Sequence, residues 1–224
     1  MKKNINYFII AVTCVFLYTA IIILQIYSHN QSEAELRRLH IQAEQLKSFA
    51  KIDKIRKYNI EKVISVINRY NPAMPEELKY KIASEISDVS MKYDNLDVDL
   101  ICATITHESA LTWDPTVVSN AGAMGLMQVM PSTAEFLARI EGIEWTSSEE
   151  ILFSPIVNIR LGSRYLSSLI ELYEIDGGLA AYNGGGKRAQ MWLAQNRAEG
   201  ILYDETQRYV PAVLSLYDQF RFRN

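Results

Sequence analysis

The sequence predicts a mainly α protein in which a transmembrane helix and a helical stalk precede a helical globular domain. Three observations carry this. No charged residue falls between Lys3 and Glu33; charged residues interleaved with Leu and Ala at spacings of three and four follow; and beyond Pro72 helix-start signals recur with almost no strand-type alternation.

The first segment, residues 7–27, is dominated by Ile, Val, Leu, Phe and Ala. As a helix it rises roughly 30 Å, about the hydrocarbon thickness of a bilayer. Lys2 and Lys3 would also suit the positive end of a cleaved signal peptide. However, no small-x-small cleavage site follows the apolar run, and Cys14 lacks the small residues that precede a lipoprotein site. The expectation is an uncleaved signal anchor. Residues 1–6 then stay in the cytoplasm by the positive-inside rule, residues 7–27 cross the membrane once, and the rest is exported. Tyr7, Tyr18 and Tyr27 include residues placed for the aromatic belts at the two interfaces.

Residues 28–72 form the predicted stalk. Leu36, Leu39, Ala43, Leu46 and Ala50 make a short heptad stripe, open to self-association, to a partner in an envelope machine or to packing on the globular domain. Ile52, Ile55, Ile60, Val63, Ile64 and Ile67 continue the apolar set toward Asn71-Pro72. There the helix should stop, because a residue before proline is pushed out of the helical region. A second reading makes this stretch the first helix of the globular domain.

Residues 73–224, about 150 residues, are enough for one real core. Pro75 suits a first helical position, with Glu76 and Glu77 near the positive end of the helix dipole. Asp97 is the expected N-cap of a helix carrying Leu100, Ile101, Ile105 and Glu108. Ser132-Thr133-Ala134-Glu135 reads as a capping box. Ser154-Pro155 starts a helix bearing Ile159, Leu166, Leu169, Ile170 and Tyr173, which Gly177-Gly178 should end. A last helix is expected from Thr206 to Phe220, bent or delayed by Pro211.

Bulk composition narrows the function. With 49% hydrophobic and 22% charged residues the chain is neither disordered nor a multi-span membrane protein. A net charge of -3 and the absence of a basic cluster argue against a nucleic-acid partner. Cys14 lies inside the apolar run, so a disulfide to Cys102 is not expected, and Cys102 reads as a small buried hydrophobe. His107-Glu108 begins like a zinc-protease motif, but the second His would fall at position 111, which is Leu. Neither a metal nor another cofactor is expected. Gly184-Gly185-Gly186-Lys187 is not a phosphate loop, since Ala181 replaces its first glycine and Arg188 its Ser or Thr.

On a helix, Ile101, Thr104, Ile105 and Glu108 share one face, which directs the Glu108 carboxylate to the apolar side. Burial disfavours the charged form, and a carboxyl raised toward roughly 6 is able to protonate a glycosidic oxygen. Position alone favours a plain helix-terminal glutamate; its company changes the reading. Glu108-Ser109 is followed by Trp113-Asp114-Pro115, then by Ala121-Gly122-Ala123-Met124-Gly125-Leu126-Met127-Gln128-Val129-Met130-Pro131-Ser132-Thr133-Ala134. Asn158, Gly162-Ser163-Arg164-Tyr165-Leu166, Ala180-Ala181-Tyr182-Asn183-Gly184-Gly185, Glu205-Thr206 and Tyr209-Val210 come later in the same order.

This ordered set, over residues 95 to 215, resembles the catalytic signature of lytic transglycosylases with the goose-type lysozyme fold. One departure is visible: Ala110-Leu111-Thr112 makes the chain longer than the usual pattern between Glu108-Ser109 and the aromatic-x-Pro element.

The resemblance implies a lysozyme-like helical catalytic domain that cleaves the bond between N-acetylmuramic acid and N-acetylglucosamine in peptidoglycan and leaves 1,6-anhydromuramyl ends. Glu108 would be general acid and then base. Ser109 would hydrogen-bond to the carboxylate or to the substrate's N-acetyl group, and Gln128 would present its amide to the sugar. Met127 reads as packing or as the lining of a sugar subsite. Tyr182 would place its hydroxyl near Glu108, Asn183 would contact substrate through its amide, and Tyr209 would lie near the same cleft. Asp114, the nearest downstream acid, reads as a loop or capping residue. The expected partners are peptidoglycan glycan strands and, through the N-terminal helix, the cytoplasmic membrane. A hydrolytic muramidase and a non-catalytic peptidoglycan-binding scaffold are the rival readings.

Overall fold

The computed structural model describes the backbone of residues 2–222 and their side chains except for residues 2–9 and 34. Met1 and the side chains of Lys2, Lys3 and Tyr7, to which the sequence assigns topology and interface roles, lie outside the described residues. The elements are α1 (Lys2–Tyr70), α2 (Glu76–Lys92), α3 (Val98–Glu108), α4 (Pro131–Glu141), α5 (Ser148–Leu152), α6 (Pro155–Gly184), α7 (Gly186–Ala194) and α8 (Asp204–Phe222). Among the described residues there is no strand. The expectation of a mainly α chain holds.

The chain divides into two units, up to Lys54 and from Ile55. In the first, α1 contains a stretch with a mean hydropathy of 2.2 over 18 residues, none of it buried, long and apolar enough to cross a membrane. The hydroxyls of Thr13 and Thr19 donate to Ile10 O and Phe16 O, so these polar groups are satisfied within the helix, as a lipid environment requires. Leu36, Leu39 and Leu46 of the heptad stripe are exposed.

The second unit is the globular domain, and it begins earlier than the boundary at 73 expected from sequence. Ile60, Val63, Val66 and Ile67 of α1 are buried in its core, and Lys62 forms an ion pair with Asp99 at 2.7 Å. The last turns of α1 thus belong to the domain, in line with the second reading of that stretch. α1 ends at Tyr70, just before Asn71-Pro72, as the proline demands.

α6 is the centre of the domain and touches α2, α4, α5, α7 and α8, while α3 packs against α2 and α8. Arg160 of α6 grips Glu85 of α2 through two 2.9 Å hydrogen bonds. Glu141 at the end of α4 receives both Lys92 and Arg164.

Two local expectations are corrected. α4 starts at Pro131 with Met130 as its N-cap and no side-chain cap, so Ser132 sits inside the helix and forms no capping box. The fixed φ of proline already sets the first helical position there. Gly177-Gly178 does not end α6 either. The break falls at Glu174 (φ 61°), and the helix resumes through both glycines to Gly184. A Cβ on Gly178 would lie 2.6 Å from Ile170 Cγ1, and one on Gly177 would lie 2.7 Å from Leu193 Cδ1. The glycines serve close packing across the break.

Candidate active site

α3 begins as its sequence requires: Asp97 caps it by accepting the Leu100 N–H at 2.8 Å. Ile101, Thr104 and Ile105 are fully buried, and Glu108, next on that face, closes the helix half-buried. Its carboxyl is pushed up to about 7, first by burial. Glu205 adds to the rise, and a hydrogen bond from Tyr209 opposes it. The negative end of the α3 dipole disfavours the carboxylate in the same sense as burial.

Beyond Glu108 the chain reverses in a Schellman cap. Leu111 N–H donates to Thr106 O at 2.8 Å and Ala110 N–H to His107 O at 3.0 Å, with Ala110 in the left-handed position (φ 51°) usually given to glycine. Leu111 (φ 65°) and Trp113 (φ 51°) are also left-handed, so the extra residues form a tight, strained turn. Trp113 anchors it. Its ring is fully buried, its Nε1 donates to Thr106 Oγ1 at 2.9 Å, and its backbone N–H donates to Ser109 Oγ at 3.0 Å. Ser109 is therefore buried, with its oxygen engaged in the turn.

The glycine-punctuated loop is built around Asn158, a buried residue of α6. Its side chain accepts from Met127 N–H at 2.8 Å and donates to Met124 O at 2.8 Å and Leu152 O at 3.0 Å. Gly125 (φ 78°) is required at this approach, because a Cβ there would lie 2.2 Å from Asn158 Nδ2. Gln128 (φ 47°) bends its amide back to donate to Val117 O and Gly125 O at 3.0 and 2.9 Å. Met127 is fully buried against Gly162, where a Cβ would lie 2.6 Å from Met127 Cβ.

Tyr182 donates its hydroxyl to Met127 O at 2.7 Å, tying α6 to the loop. The hydrogen bond to the Glu108 carboxylate comes instead from Tyr209 of α8, at 2.7 Å. Both phenols are held well above their ordinary pKa, first by burial and then by the charge of Glu108, so both remain donors. His107 stacks edge-on against Tyr209 at 4.8 Å, and burial holds its pKa down. Asn183 accepts from Thr206 Oγ1 at 2.6 Å, which leaves its NH2 as the donor it can offer.

The structure thus brings Tyr209 directly onto Glu108, sets Tyr182 close enough to sense its charge, and hangs Met127 and Gln128 on the Asn158 anchor. Asn158 and Trp113 carry structural work to which the sequence pattern assigned no role. The signal for Asn158 was an amide among Ile156, Val157, Ile159 and Leu161 in the first turns of α6.

The family described as "Transglycosylase SLT domain" matches residues 85–204. Soluble lytic murein transglycosylase of Escherichia coli K12 is 35% identical over 130 residues, which are 54% of this chain and 20% of that protein. Membrane-bound lytic murein transglycosylase C of Shigella sonnei is 34% identical over 134 residues, 55% of this chain and 36% of that protein. The chain therefore spans well under half the length of either relative.

Among solved structures, an inactive mutant of lytic transglycosylase Slt from Pseudomonas aeruginosa aligns with TM-score 0.54 and 33% identity over 69% of this chain and 25% of that one. The 70 kDa soluble lytic transglycosylase of E. coli aligns with TM-score 0.56 and 25% identity over 76% of this chain and 30% of that one. With residues 85–204, more than half of its length, matched by that family, the chain belongs to the transglycosylase SLT domain family.

Proposed function

We propose that this protein is a membrane-anchored lytic transglycosylase that cleaves the β-1,4 bond between N-acetylmuramic acid and N-acetylglucosamine in peptidoglycan, with Glu108 as its acid and base. The observation that carries the reading is the Glu108 carboxyl, pushed up to about 7 at the end of α3 and hydrogen-bonded by Tyr209. Near neutrality such a group is partly protonated. Because Oε1 accepts from Tyr209, the acid proton belongs on Oε2.

In the proposed reaction Oε2–H protonates the glycosidic oxygen as the C1–O bond breaks and the N-acetylglucosamine chain leaves. The N-acetyl carbonyl oxygen of the muramyl residue bonds to C1, a substrate-assisted route that needs no second carboxylate. The Glu108 carboxylate then takes the proton of the C6 hydroxyl. O6 attacks C1, the carbonyl oxygen departs, and a 1,6-anhydromuramyl end forms with Glu108 protonated again. Tyr209 steadies the carboxylate between the two steps. Ser109 keeps a hydroxyl proton to donate, and Asn183 and Gln128 border the sugar, Asn183 through its NH2 and Gln128 through its carbonyl oxygen. Met127 acts through its main chain by fixing Tyr182.

The apolar stretch of α1 supports anchoring in the cytoplasmic membrane, with Lys2 and Lys3 inside and the domain facing the periplasmic or extracellular peptidoglycan. Mass spectrometry of sacculi digested by the full chain tests the reaction. Anhydromuramyl ends, absent with Glu108→Gln, are expected; reducing ends would make the protein a hydrolytic muramidase, and equal inactivity of both proteins would make it a scaffold.

A further inference from the structure

Two consecutive residues of α3 hold Tyr209. Glu108 accepts its hydroxyl at 2.7 Å, and the ring of His107 stands edge-on to the phenol, with centroids 4.8 Å apart and planes at 79°. Rings in this arrangement attract beyond the area they bury, because the positive edge of one meets the negative face of the other. On α8, Glu205 and Tyr209 are four positions apart and so share a face. Glu205 lies near enough to act on both His107 and Glu108, so the two helices gather these four side chains into one cluster.

Tyr182, the other tyrosine of the site, is held differently. It gives its hydroxyl to Met127 O, a main-chain acceptor whose strength does not change during a reaction, and its ring leans on Tyr165 at 5.3 Å. The acceptor of Tyr209 is the carboxyl that gives up and regains a proton, so this bond is strong to the carboxylate and weaker to the acid. Nor does α8 supply the missing constraint. Pro211 lies inside it, two residues beyond Tyr209, and leaves Gln207 O without its helical N–H partner. The contact that persists in both protonation states is the one with His107. Burial holds that imidazole below its ordinary pKa against the pull of Glu205, so it is neutral near pH 7. A neutral ring adds no charge beside Glu108, and its route to the acid runs through Tyr209.

We propose that His107 is a positioning residue for the Glu108–Tyr209 pair: its ring holds the phenol so that the hydroxyl is already directed at Oε1 when the carboxyl loses its proton. The proposal rests on the reading of Glu108 as acid and base given above. It gives His107 a task beyond packing, one that another flat ring performs and an aliphatic side chain does not.

Coupling between the two positions provides the test, read from the titration midpoint of the Glu108 carboxyl by carbon NMR of the full chain in detergent micelles. Tyr209→Phe raises that midpoint where the hydroxyl bond is in place. The rise is measured in the parent and in the His107→Phe, His107→Leu and His107→Ala backgrounds, the last two being independent ringless variants whose folding is checked by thermal unfolding. It should persist with Phe and shrink to about half or less with Leu and Ala. No rise in the parent, a rise of one size in every background, or one that shrinks equally with Phe overturns the proposal. On peptidoglycan, kcat should fall about fivefold in His107→Leu with KM unchanged, and recover in His107→Phe. Glycan left intact by the parent would overturn the peptidoglycan reading itself, and is told apart because the titrations need no turnover.

Discussion

Tyr209 donates its hydroxyl to Oε1 of Glu108 across 2.7 Å, joining the end of α3 to α8 over 101 positions of sequence. The bond lowers the carboxyl pKa, yet burial outweighs it and leaves the group at about 7. The acid is thus set by opposing effects, and each is open to substitution.

The first prediction is kinetic. If protonated Glu108 starts the reaction, kcat/KM should be flat at low pH and fall through about 7 as the proton is lost. Tyr209→Phe removes the interaction that favours the charged form, so the midpoint should move upward. The plateau should drop roughly tenfold to a hundredfold as the developing carboxylate loses its donor. Rate profiles of the two proteins check this; an unmoved midpoint would show that Tyr209 does not tune the acid.

Stability should carry the same signature. Between the unfolded value of 4.5 and the folded value of about 7 the native state holds more protons than the unfolded chain. The contribution of Glu108 is therefore fully present below 4.5 and lost as pH rises through 7. A shift of this size corresponds to roughly 3 kcal/mol. Glu108→Gln, neutral at every pH, should be more stable than the parent above pH 7, with the difference shrinking toward pH 5. Urea unfolding at the two pH values measures it.

Much of this site was legible beforehand where the signal was local. The Asp97 cap, the stop before Asn71-Pro72 and the shared face of Ile101, Thr104, Ile105 and Glu108 follow from spacing alone. Features set by partners distant in sequence were not. Spacing does not tell which tyrosine reaches a carboxylate, and Tyr182, the expected neighbour, gives its hydroxyl to Met127 O. Gly177-Gly178 reads as a terminator until Ile170 and Leu193 are seen against it. Ile60 and Val63 look like stalk residues because their burial depends on the helices that cover them.

Asn158 offers a test of how the loop is held. Asn158→Ala would strand Met127 N–H and Leu152 O in the interior, while Met124 O keeps the Val129 N–H at 3.1 Å. Each buried group left unpaired costs about 1–3 kcal/mol, so the domain should lose about 2 kcal/mol or more. Thermal and urea unfolding should both register it, and activity should fall with the displacement of Gln128 and Tyr182. A loss below about 1 kcal/mol would mean that water replaces the amide.

The turn after Glu108 predicts a gain. Ala110 holds a left-handed conformation that costs an L-residue about 1–2 kcal/mol, and Ala110→Gly relieves it at the expense of a more flexible unfolded chain. A net stabilisation of about 0.5 kcal/mol is expected, with glycan cleavage unchanged. Chemical unfolding of the two proteins decides it, and destabilisation would show that the Ala110 methyl makes a contact worth more than the strain.

The most direct measurement is titration of the Glu108 carboxyl by carbon NMR of the selectively labelled full chain, its resonance assigned by its absence from Glu108→Gln. A midpoint at about 7 is predicted. A midpoint at or below the ordinary 4.5 would mean a carboxylate that is ionised at neutral pH, and would contradict its role as the proton donor.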